Sequence, residues 1–99
     1  MNEIEYLLTC LQEEASEIIH RVAKAKRFGL KEVQEGQDKT NEQRIAEEIM
    51  DLEYIVGMLV GKEVFSELRT KASWCENEAK KEKFNRYLNL SRTVGILRD

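Results

Sequence analysis

Between Glu3 and Lys26 the apolar residues Ile4, Leu8, Leu11, Ala15, Ile18 and Val22 recur at intervals of four, three, four, three and four. This is the spacing of a single stripe along an α-helix. No proline interrupts the stretch, or any other in the 99 residues, and only five glycines occur. Because proline removes a helical hydrogen bond and glycine weakens a helix interior, their scarcity favours long uninterrupted helices. A second seam, Ile45, Ile49, Leu52, Val56 and Leu59, follows a capping signal at Thr40 or Asn41, with Gln43 at capping-box distance from Thr40, and runs to about Gly57 or Gly61. A third pattern, Phe65, Leu68, Ala72, Cys75 and Ala79, continues after a break near residues 73–77 into Phe84, Leu88 and Ser91, with Tyr87, Leu90, Val94 and Leu97 alongside.

No strand-like alternation competes with these periods. The expected fold is all-α, a helical bundle of three to four helices in one domain over residues 1–99. Arg27-Phe28-Gly29 closes the first helix, with cations in its last turn and glycine for a left-handed cap. Residues 30–39 form the one long loop, with room for a short helical turn. A helix of about 24 residues spans about 36 Å, well beyond the radius of about 13 Å of a compact chain this size. Such helices call for further partners. A homo-oligomer, dimer or tetramer, would complete a four-helix bundle.

With 41% apolar and 35% charged residues the chain is ordered rather than disordered. The formal charge of −3 argues against a nucleic-acid surface, while leaving room for a small anionic substrate held through a metal. Cys10 and Cys75 belong to no C-x-x-C pair, and Met1-Asn2-Glu3-Ile4-Glu5 is acidic where a secretory leader is basic. No apolar run approaches the ~20 residues needed to span a bilayer. Reduced thiols, no membrane contact and a cytoplasmic location are the expectation. Trp74 reads as a core or interface residue.

Function is written in the acids. Glu14 and Glu17 stand three apart, as do Glu48 and Asp51, so each pair points to one side of its helix. Glu14 and Glu17 continue a stripe that begins with Leu7 and Cys10 and ends with Arg21 and Lys24, and Glu48 and Asp51 lead into Ile55 and Met58. Acids on partly apolar stripes face inward or line a groove. Two helices then offer four carboxylates to one place, where mutual repulsion calls for a cation that prefers oxygen, Mg2+ or Mn2+. The plainer reading is a solvated surface, with Glu17 and Arg21 as an ordinary i,i+4 ion pair.

Other chemistries fit less well. Gly61-Lys62 is followed by Glu63 where a phosphate-binding loop needs Ser or Thr. Cys10 and His20 would lie about 15 Å apart along one helix, too far for a nucleophile and its base. Zinc lacks ligands. Glu17-x-x-His20 has the spacing of a di-iron carboxylate site, but the second helix supplies Glu48-x-x-Asp51 instead of a matching Glu-x-x-His.

Glu13-Glu14-x-x-Glu17, followed some thirty residues later by Glu48-x-x-Asp51, with Lys24-x-x-Arg27-Phe28-Gly29 between them, resembles the MazG-like all-α nucleoside triphosphate pyrophosphohydrolases over roughly residues 4 to 60. The resemblance implies an oligomeric four-helix bundle, Mg2+ dependence, and cleavage between the α and β phosphates of a nucleotide to give monophosphate and pyrophosphate. It makes Glu14, Glu17, Glu48 and Asp51 the metal ligands, and Glu13 a base beyond them or an additional ligand. Either Glu13 or Glu17 would activate the water. Apart from the resemblance, Arg21 and Lys24, one and two turns beyond the acids, would supply positive charge for the phosphates; Lys80, Lys83 or Arg86 could add to it, although a solvated face is their plainer reading, and Tyr87 or Trp74 could stack on a base. The alternative is a non-catalytic helical oligomer or adaptor with a solvated acidic face.

Overall fold

The structure, a computed structural model, describes residues 1–68 and 77–99. The described residues are all-helical: three helices, one isolated bridge and no strand. They fall into two compact units, Met1–Ser66 and Glu67–Asp99. No helix among them is long and apolar enough to cross a membrane.

Helix α1 runs from Glu3 to Phe28. Asn2 caps it: its side-chain oxygen accepts the Glu5 N–H at 2.8 Å, and the Glu5 carboxylate accepts the Asn2 N–H at 3.3 Å, so two otherwise orphaned donors are satisfied. At the far end the Gly29 N–H donates to the Ala25 carbonyl at 2.8 Å. Gly29 has φ +99° and ψ 151°. The expected glycine end is there, but its conformation is extended rather than left-handed helical. This extended positive-φ region is essentially confined to glycine, and it turns the chain directly into the return loop.

That loop contains no helical turn. Gln37 N–H donates to the Gln34 carbonyl at 2.9 Å, with Gly36 at φ +81° in the third position, the position at which a type II turn needs positive φ. A single antiparallel bridge joins Val33 to Thr40. The loop is fastened to the start of the next helix: Asn41 and Glu42 N–H donate to the Glu32 and Leu30 carbonyls, each at 2.9 Å. The Asn41 amide donates to the Gly29 carbonyl at 2.8 Å, and Arg44 to the Gln34 side chain at 2.7 Å. Asn41 is buried, and these bonds satisfy what burial would otherwise leave unpaired.

Helix α2 spans Asn41–Gly61, begun by the Thr40–Gln43 capping box that the sequence signals. It packs on α1 as an antiparallel hairpin, with Asn41 against Gly29 at one end and a Lys62–Glu3 ion pair of 3.1 Å at the other. Among the described residues the buried apolar residues are few: Leu7, Ala25 and Leu59. Leu7 and Leu59 belong to the end where α1 starts and α2 finishes, and Ala25 to the other. On α1 the packed face is therefore the Leu7, Glu14, Arg21 stripe. Of the apolar seam beside it, Leu11, Ala15 and Ile18 are half-buried, whereas Ile4, Leu8 and Val22 are more than a third exposed.

The helix expected from Phe65 onward is not present through Leu68. Residues 62–68 are turns and bends, with Glu63 and Phe65 both at positive φ, a conformation that breaks a right-handed helix. Ala72, Trp74 and Cys75 lie outside the described residues. Helix α3 spans Glu78–Thr93, with the Asn77 side chain accepting the Lys80 N–H at 3.1 Å. It ends four residues before Leu97, because Gly95 at φ +81° turns the chain so that the Ile96 and Leu97 N–H groups return to the Ser91 carbonyl. The Asp99 carboxylate then takes two hydrogen bonds from Arg92, at 2.6 and 3.1 Å.

Candidate metal centre

Antiparallel packing brings the middle of α1 to the middle of α2, and the two acidic pairs meet there. One carboxylate oxygen from each of Glu14, Glu48 and Asp51 lies within 4.8 Å of the other two. Glu14 and Glu48 are half-buried between the helices, and Asp51 is exposed at the edge. Neighbouring Glu47 points about 100° away around the helix and forms an ion pair with Lys39.

Glu14 carries the electrostatic strain of this arrangement. Its carboxyl is raised above the ordinary value of 4.5, first by desolvation between the helices, then by the facing Glu48 side chain, and then by the charges of Asp51, Glu48 and Glu17. Its Oε2 is buried without a hydrogen-bond partner. A buried acceptor left unmade costs about 1–3 kcal/mol. The opposing positive charge is Arg21, whose Nε stands 3.7 Å from Glu48 Oε1 across the hairpin. That distance is too long for a hydrogen bond, and Nε is itself buried and unpartnered.

The other residues singled out in the sequence take separate places. Glu17 is exposed on α1, outside the tight group but close enough for its charge to act on Glu14. Glu13 and Glu17, together with Thr9, Gln12, Glu14 and Ser16, line an open hollow along α1. Lys24 is half-buried one turn beyond Arg21, and His20 is exposed. Lys83 and Tyr87 belong to α3 in the second unit, the Lys83 ammonium lying 6.0 Å from the centre of the Tyr87 ring.

No protein-family model, curated protein or solved structure matches the chain. The donors of the acid group are carboxylate oxygens alone, a set suited to Mg2+ or Mn2+ rather than to zinc or copper. An octahedral ion with bonds of about 2.1 Å holds its ligand oxygens about 3–4.2 Å apart, so a modest contraction of the Glu14, Glu48 and Asp51 group would accommodate it. Such an ion would also supply the partner that Glu14 Oε2 lacks.

Two features were missed in the sequence. Thr9, Gln12 and Ser16 were passed over, although their spacing with Glu13 already marks one polar face. The Arg21–Glu48 pair had no local signal, because it depends on the register between two helices.

The raised Glu14 carboxyl sets a pH dependence. Its native-state pKa lies above its unfolded value, so the native chain takes up a proton before the unfolded chain does, and stability rises as pH falls through that interval. Metal-free protein is expected to melt at higher temperature as pH falls from neutrality towards the ordinary carboxylate range. Glu14→Gln should flatten this slope and melt at higher temperature than the wild type at neutral pH without metal. Thermal melts in chelator across that pH range read both effects; identical slopes for the two proteins would contradict the assignment.

Proposed function

We propose that this chain is a Mg2+-dependent nucleoside triphosphate pyrophosphohydrolase of the MazG-like kind, cleaving the α–β phosphate bond to release a nucleoside monophosphate and pyrophosphate. The observation that carries the reading is the meeting of Glu14, Glu48 and Asp51 from two helices around a buried, unpartnered carboxylate oxygen. These three would hold Mg2+, or Mn2+, with Glu17 close enough to join them. The ion would supply charge neutralisation for the triphosphate and its pyrophosphate leaving group. Glu17, whose charge acts on Glu14, or Glu13, which lines the same hollow along α1, would take the proton of the attacking water. Arg21 and Lys24 follow the acids along α1 and would meet phosphate oxygens.

A homo-oligomer, dimer or tetramer, completing a four-helix bundle belongs to the same proposal, and so does a cytoplasmic location. Its support is the short supply of buried apolar residues and the row formed by Ile4, Leu8, Ile19, Val22, Ile49 and Val60, all more than a third exposed. A helical turn advances 100° per residue, and in an antiparallel pair this row falls on one side of the hairpin while the acids fall on the other. The exposure of Asp51 and Glu17 favours the second reading, a non-catalytic helical oligomer whose acids are merely solvated.

The deciding experiment is a screen of nucleoside triphosphates with purified protein and Mg2+ or Mn2+, following pyrophosphate. Release that depends on the ion is expected for at least one nucleotide. No release from any of them, with either ion, leaves the adaptor reading in its place.

A further inference from the structure

We propose that Arg21 is an internal counter-ion that occupies Glu48 when the site is free of metal and passes to an anionic phosphate ligand once a divalent cation takes Glu48. This inference rests on the metal reading of the acid group. The guanidinium stands 3.7 Å from Glu48, as a charge pair rather than a hydrogen bond, and its Nε is buried without a partner. Arginine in a settled ion pair uses its fork of donors on the carboxylate. Arg21 is held near Glu48 by charge alone, with donor capacity unspent. Both side chains are about one-fifth exposed, so they are shielded enough for the attraction to count and open enough for the guanidinium to swing out.

A cation entering among Glu14, Glu48 and Asp51 meets Arg21 as a competitor of like sign. Two positive groups cannot both sit against Glu48 without repulsion. The displaced guanidinium keeps its α1 anchor, one turn after Glu17, at the rim where phosphate oxygens bound to the metal would lie. The same residue thus opposes the bare ion and favours the ion together with its anion, which makes the site selective for metal that arrives with phosphate.

The test has two binding measurements by calorimetry, with Mn2+ alone and then with inorganic pyrophosphate added to Mn2+-saturated protein. Arg21→Met keeps the half-buried alkyl stem and removes the charge; Arg21→Lys keeps the charge and loses the fork. For Arg21→Met, Mn2+ should bind about tenfold more tightly and pyrophosphate about tenfold more weakly than to the wild type. Arg21→Lys should hold Mn2+ at about the wild-type affinity and bind pyrophosphate at an intermediate level. Effects of opposite sign are the signature, since a residue that merely supports the fold would weaken both. Mn2+ binding that is unchanged or weaker in Arg21→Met overturns the counter-ion role while leaving the metal site standing, whereas a wild type that binds no Mn2+ removes both. Should Arg21→Met fail to fold, Arg21→Gln is read by the same two affinities.

Discussion

Replacing Glu48 by Gln is expected to abolish the protection that Mg2+ or Mn2+ gives the folded chain against heat and to lower pyrophosphate release at least about 100-fold. Glu48 is the residue on which the site converges. It faces Glu14 and helps raise that carboxyl, lies within reach of Asp51, and carries the Arg21 ion pair. Glutamine preserves its size and a carbonyl acceptor while deleting the charge, so the change tests electrostatics more than packing. A ligand that binds only the native state stabilises it by about 2.7 kcal/mol at 100 times its dissociation constant. The wild type should therefore show a rise in melting temperature that grows with ion concentration, and Glu48→Gln a flat line. Equal shifts in the two proteins would place the ion elsewhere and end the hydrolase proposal; a shift in neither would favour the adaptor reading.

Leu59→Ala is expected to cost roughly 2–5 kcal/mol, the range for deleting a buried leucine side chain and leaving a cavity. Leu59 is the one fully buried large side chain among the described residues, at 0% exposure. Its carbonyl also receives the Lys62 and Val64 N–H groups, each at 3.0 Å, as α2 ends. A unit the size of Met1–Ser66 is stable by only about 3–10 kcal/mol at typical values per residue. With Leu7 and Ala25 as the other buried apolar residues, the hairpin has little reserve. Urea titration should show a lower midpoint at an unchanged slope. A loss below about 1 kcal/mol would mean that the hairpin draws its stability from contacts other than this core.

Much of this was legible in the sequence because it is local. The 3.6-residue period announced α1 and α2, Thr40 with Gln43 announced where α2 begins, and Glu14-x-x-Glu17 with Glu48-x-x-Asp51 announced two acidic faces. Local patterns were less informative where tertiary geometry decides. The apolar seam of α1 is only partly the packing face: Leu11, Ala15 and Ile18 are half-buried, but the hairpin buries Leu7 and Ala25 beside them more deeply and leaves Ile4, Leu8 and Val22 exposed. Phe65 and Leu68 continued a helical spacing, but positive φ at Glu63 and Phe65 ends it. Local spacing pairs Arg21 with its own-helix neighbour Glu17, whereas the fold sets it across from Glu48. Glu17 and Asp51 have the same spacing from their partners, yet only Asp51 enters the tight group. Spacing fixes the face of one helix; the stagger between two helices decides which carboxylates touch.

The hairpin has two unlike long edges, one lined with carboxylates and the other with Ile4, Leu8, Ile49 and Val60. A second copy seated against the greasy edge would leave the two clusters back to back on outer walls, each opening onto its own water. Neither would borrow a ligand from its twin. Ion uptake by such a pair should be hyperbolic, with a Hill coefficient of about 1, because no shared element would carry news of one filling to the other.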